Sequence, residues 1–211
     1  MPATSAMVVE QDPPEGILLR DTDGPLLRLE VSFQCVWDGP KKFLAVERSK
    51  IHVFTCDGTQ PLFRYEFDKR TSDRLPSAHI HFHGEHAELE RAMSECGEST
   101  QRAKKRRNGK VKFGLPDLHF PVGGSRFRPA LEDVMEMLIE EFGITPHGGQ
   151  SVAAARKQLA DARERWRRLQ LATVVRDAPE VAAEALRSLD YEVISPAYGT
   201  RSDNVKMFRT I

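Results

Sequence analysis

The chain has 211 residues, enough for one domain with a substantial core and an appendage, or for two small domains. Its 31 basic and 31 acidic side chains cancel, so any affinity for nucleic acid has to come from local charge. With 40% hydrophobic residues, no long apolar stretch, no charged and then apolar leader, and three cysteines (Cys35, Cys56, Cys96) without a CxxC pair, the sequence argues against wholesale disorder, membrane spanning and secretion, and predicts a cytoplasmic protein.

Residues 1–16, with Pro2, Pro13 and Pro14 and little apolar periodicity, read as a disordered tail. A short strand is predicted over 17–20, a turn at Asp21-Thr22-Asp23-Gly24-Pro25, and a long strand over 26–37. In that strand Leu27, Leu29, Val31, Phe33, Cys35 and Trp37 alternate with mostly polar neighbours. After the turn at Asp38-Gly39-Pro40, strands follow over 43–55, 62–67 and 78–83. Short turns between successive strands predict an antiparallel meander.

The periodicity then becomes helical. Residues 86–96 form a weak one-faced helix ended by Gly97. Residues 101–112 carry seven basic side chains and no acid, a block expected to repel itself and stay mobile. Pro129 opens a firmer helix, in which Leu131, Val134, Met135, Leu138, Ile139 and Phe142 recur at three- and four-residue spacing and Gly143 follows the end. This helix is expected on the inner face of the sheet. A second long helix over 151–174 has a narrow seam (Val152, Ala155, Leu159, Ala162, Trp166, Leu169, Thr173) suited to docking on the domain or on a second copy. Asp177-Ala178-Pro179-Glu180 starts a third helix, with short strand candidates over 191–194 and 205–211.

Chemistry concentrates in Ser77-Ala78-His79-Ile80-His81-Phe82-His83-Gly84-Glu85-His86, which holds four of the seven histidines. Period two puts His79, His81 and His83 on one face of the strand and Ile80 and Phe82 on the other. Same-face neighbours lie about 6.6 Å apart, so two adjacent histidines can converge, whereas His79 and His83, roughly 13 Å apart, cannot without a bend. A three-histidine metal site on this strand is therefore not expected, and neither a metal nor another cofactor is assigned. A histidine pair is suited to general acid and base work near neutral pH. Arg64, Glu66 and Asp68 share one face of the preceding strand, and antiparallel pairing would bring them beside the imidazoles. Arg64 would then bind phosphate, and Glu66 or Asp68 would orient a histidine. A solvated face of cross-strand ion pairs is the plainer alternative. Lys104, Lys105, Arg106, Arg107 and Lys110 are candidates for backbone contacts with a nucleic acid.

The spacing His79-x-His81-x3-Glu85 resembles part of a cupin metal motif without its flanking glycines. The order of elements resembles the TumE-type toxins of bacterial toxin-antitoxin modules: Arg64-Tyr65-Glu66 stands where that family has Arg-Tyr-Asp, His79-Ile80-His81 matches its His-x-His strand, and residues 127–142 look like its terminal helix. The resemblance spans residues 17–143. It implies a small α+β fold, an endoribonuclease activity and an antitoxin partner. Arg126-Phe127-Arg128-Pro129 and Glu164-Arg165-Trp166-Arg167-Arg168 are similar to stretches of an actinobacterial protein family, a likeness that implies no activity.

The sequence thus predicts an α+β domain over 17–145, an antiparallel sheet of five or six strands with a helix on one face, followed by a helical region over 150–211. The expected activity is RNA cleavage in which His79 and His81 exchange protons, Arg64 stabilises the phosphate and Glu66 orients a histidine. A binding module with RNA, an antitoxin or a second copy (through 151–173) as partner, and a metal-dependent hydrolase, are the alternatives.

Overall fold

The computed structural model describes residues 6–38, 41, 43–70, 75–87, 89–90, 104–105, 108–110, 114–123 and 128–205. Seven antiparallel strands form one sheet: β1 (Met7–Glu10), β2 (Ile17–Arg20), β3 (Pro25–Trp37), β4 (Leu44–Thr55), β5 (Phe63–Asp68), β6 (Ala78–Phe82) and β7 (Phe120–Pro121). The order is β1-β3-β4-β5-β6-β7, with β2 pairing the other half of β3. The meander over β3 to β6 is the predicted one. Two strands were not expected. Met7–Glu10, read as tail, instead pairs with residues 32–35 of β3, and the two-residue β7 closes on β6. The Gln11 side chain accepts the Val31 N–H, which fastens the chain just after β1. Main-chain pairing explains this order, because Val8 and Val9 remain exposed and bury no apolar face.

Period-two alternation divides the sheet into two faces. On one, Leu27, Leu29, Val31, Ile51, Val53 and Phe63 pack against the first helix, α1 (Leu131–Phe142), through its Val134, Leu138 and Ile139. The main-chain N–H of Ala130 donates to the Asp133 carboxylate at 2.8 Å, fixing the start of α1, and Gly143 ends it in the left-handed region at φ 65°. Thr145 N–H then donates to the Arg20 carbonyl at 2.8 Å, tying the helix exit to β2.

The second helix, α2 (Val152–Asp177), has no fully buried residue. Leu159 packs against the core cluster, and the Arg128 guanidinium lies 3.9 Å from the Phe67 ring centre and 5.7 Å from that of Trp166. Ion pairs with α1 complete the contact: Arg163 with Asp133 at 2.7 Å, Arg156 with Glu136 and Glu140, and Arg167 with Asp133. Leu159 and Trp166 of the predicted seam therefore meet the chain's own domain, and arginines 156, 163 and 167 face acids of α1. Helix α3 (Pro179–Ser188) starts within the predicted Asp177-Ala178-Pro179-Glu180 stretch, with Ala178 at the cap position and the Asp203 side chain accepting the Glu180 N–H. Residues 191–194 form no strand, and 206–211 lie outside the described residues. Among the described residues no helix is long and apolar enough to cross a membrane.

Candidate metal centre

The opposite face of β4, β5 and β6 is polar. Its ladder aligns His52 with Arg64 and Arg64 with His81, and in the next row Lys50 with Glu66 and Glu66 with His79. The predicted convergence of Arg64 and Glu66 on the histidine strand is thus present. Asp68 lies further along and pairs with Arg48 at 2.9 Å, so it orients no histidine. β6 ends at Phe82, with His83 just beyond it.

Cover for this face comes from the segment after the basic block. A short turn, Leu115–Asp117, is held by Gly114 N–H donating to the Asp117 side chain at 3.2 Å, and the chain then runs through His119 into β7. This segment carries the third histidine. The imidazole centres of His79, His81 and His119 form a triangle with sides of 4.9, 4.8 and 4.4 Å, and each ring brings one nitrogen within 4.8 Å of the other two. His79 and His81 are buried, 5% and 4% exposed, so the reading of a solvated outer face does not hold for them.

Which nitrogen carries the proton follows from the partners. Nδ1 of His79 lies 2.9 Å from the Pro76 carbonyl, Nδ1 of His81 2.7 Å from the Pro116 carbonyl, and Nδ1 of His119 3.0 Å from the Asp117 carbonyl. A carbonyl oxygen only accepts, so each Nδ1 is the donor, and Nε2 is the nitrogen left to bind a ligand. Such a backbone hydrogen bond commonly fixes the tautomer and aim of a metal-ligating histidine. Burial foremost, with the Arg64 charge, pushes His81 below its ordinary value against the pull of the Pro116 carbonyl, which keeps the ring neutral and its Nε2 lone pair available.

Glu66 borders the triangle, with a carboxylate oxygen 3.6 Å from His79 Nε2 and 4.0 Å from His81 Nε2. The other oxygen lies 3.3 Å from His52 Nε2 and 3.2 Å from the Arg64 guanidinium. Burial would raise this carboxyl, but the facing His52 ring and the Arg64 charge hold Glu66 below the usual carboxylate range, ionised. The lone pairs of His79 and His81 and an ionised carboxylate thus face one another as acceptors at distances beyond a hydrogen bond. A cation satisfies such an arrangement.

The donor set fits a borderline divalent ion such as zinc, which three imidazoles bind with a further position open to water. Metal–nitrogen bonds of about 2.0–2.1 Å set the nitrogens of a tetrahedral site about 3.3 Å apart, against the 4.8 Å within which the three lie here. The sequence missed His119 because strand spacing links only neighbours on one strand, and Leu118-His119-Phe120-Pro121 carries no motif of its own. It missed His52 for the same reason.

Of the proposed nucleic-acid contacts, Lys104 and Lys105 have helical backbone, and the Asn108 and Lys110 amides bond back to them. Arg106 and Arg107 lie outside the described residues. No protein-family model matches the chain, and no curated protein or solved structure resembles it at a significant level.

Proposed function

We propose that the chain is a metal-dependent hydrolase, with a divalent ion, zinc by the chemistry of the donors, held by His79, His81 and His119. The observation that carries this reading is the set of three imidazoles, each with Nδ1 on a backbone carbonyl and one nitrogen within 4.8 Å of the others. The ion would lower the pKa of a bound water to about 7 and so supply hydroxide at neutral pH. Glu66, kept ionised, would accept a hydrogen bond from such a water and aim it. Arg64 partners Glu66 at 3.2 Å and stands ready for negative charge developing on a substrate.

In the alternative reading the same Nε2 atoms of His79 and His81, left free by the backbone bonds to Nδ1, would exchange protons with the substrate. The test is incubation of purified protein, metal-stripped and zinc-loaded, with total RNA and with a panel of activated esters. Zinc-dependent hydrolysis that disappears in His119→Ala supports the reading. Chelator-resistant RNA cleavage that needs His81 but not His119 would replace it with a histidine acid–base ribonuclease of the TumE type.

A further inference from the structure

Beside the three histidines, whose lone pairs call for a cation, lies the opposite deficit. The Nε–H of Arg64 is buried and has no acceptor among the described residues, and neither has Nε2 of His83. The tautomer of His83 is set by Gln60, whose amide Nε2 donates to His83 Nδ1 at 3.2 Å, leaving the proton on Nε2. Both orphans are therefore N–H donors, and the partner they lack is an acceptor.

They are also neighbours. His83 N–H donates to the Leu62 carbonyl at 3.0 Å, so His83 continues the line of His81 alongside β5, where Arg64 stands opposite His81. Arg64 keeps 26% of its side chain exposed, so a change of rotamer presents its Nε–H to a bound group. With Glu66 balancing Arg64, a divalent ion on the triad would leave the site with two positive charges.

We infer that Arg64 and His83 form an oxyanion subsite beside the three histidines and that the substrate is a phosphate ester, whose oxygens would take the Arg64 and His83 donors. This rests on the metal reading above. Hydrolysis there would join a water oxygen to phosphorus and break the bond from phosphorus to the leaving oxygen; the electron pair would stay on that oxygen and the water's proton would neutralise it, while His79, His81 and His119 would hold the ion that activates the water. Phosphate suits the donors better than a carboxylic ester does, because a flat guanidinium and a second N–H can each take a separate oxygen of a tetrahedral anion.

The test uses cobalt(II) in place of zinc, read by its visible absorption, and inorganic phosphate as the probe, read by titration calorimetry on metal-free and cobalt-loaded protein. Expected are cobalt bands that phosphate perturbs, phosphate binding at least about ten-fold weaker in Arg64→Gln, and a weakened but measurable affinity in His83→Gln with its cobalt bands retained. Arg64→Lys, which keeps the charge without the planar fork, should fall between wild type and Arg64→Gln. Cobalt binding with no phosphate binding, or with equal affinity in wild type and both neutral variants, would overturn the subsite and leave the metal reading standing. Arg64-dependent phosphate binding without cobalt bands would support the subsite and overturn the metal reading. Acetate bound as tightly as phosphate would overturn the assignment of substrate class.

Discussion

His81 and Pro116 are joined by one hydrogen bond, 2.7 Å from the imidazole Nδ1 to the proline carbonyl, although 35 positions separate them along the chain. That bond makes the segment over 114–119 part of the site: it aims His81, and three residues later it supplies His119. An ion shared by β6 and this segment would fasten the segment to the sheet. Hydrogen exchange followed by mass spectrometry should then slow over residues 114–121 when zinc is added. The protection should vanish in His119→Ala, and equal protection in that variant would show that the ion does not bridge the two elements.

Binding to the folded state alone also raises the melting temperature. At free zinc one hundred times its dissociation constant the gain is about 2.7 kcal/mol, which for a chain of this size is a rise of about 5–10 °C. Calorimetric scans of metal-stripped and zinc-loaded protein should show that rise in the wild type. Replacing His79, His81 and His119 together by alanine should remove it.

The core and the site lie on opposite faces of the sheet, so their energetics separate. Leu138 is fully buried between α1 and the strands, and Leu138→Ala should cost about 3–4 kcal/mol through lost burial and the cavity left behind. Denaturant titration measures that loss. Zinc stoichiometry of the folded fraction should not change, because residues that far apart contribute independently.

Glu47 offers a pH-dependent test away from the histidines. Its carboxylate binds Lys69 and Arg70, each at 2.8 Å, where β4 begins and β5 ends. The hydrogen bond from Lys69 outweighs burial, and with the charges of Lys69 and Arg70 it holds the carboxyl below its ordinary value. A folded-state value below the unfolded one means that the stabilisation is present above the unfolded value, near 4.5, and is lost as pH falls through the folded one. Glu47→Gln should therefore have a lower denaturation midpoint than wild type at pH 7. The two should converge once pH has fallen below the folded-state value.

Most of the framework was legible in the sequence. Alternation over Leu27 to Trp37 and the three- and four-residue spacing from Leu131 to Phe142 each encode burial of one face, which is what decides strand and helix here. The pairing of Arg64 and Glu66 with the histidine strand followed from the meander. β1 escaped because Met7–Glu10 is held by main-chain bonds to an edge, and such bonds leave no apolar pattern. The third histidine escaped for a related reason: His119 is brought to β6 by a turn and a two-residue strand, too short to have a period. The seam of α2 was legible and the chain's own domain stood among its partners, whereas the ion pairs of Arg163 with Asp133 and of Arg156 with Glu136 join two helices that meet only in the fold.

The central claim is tested most directly by titrating metal-stripped protein with zinc in a calorimeter, wild type beside His119→Ala. The account predicts one zinc ion per wild-type chain and, in the variant, an affinity lower by at least about ten-fold with the fold preserved. No zinc binding by the wild type, or equal affinity in the two proteins, would contradict it.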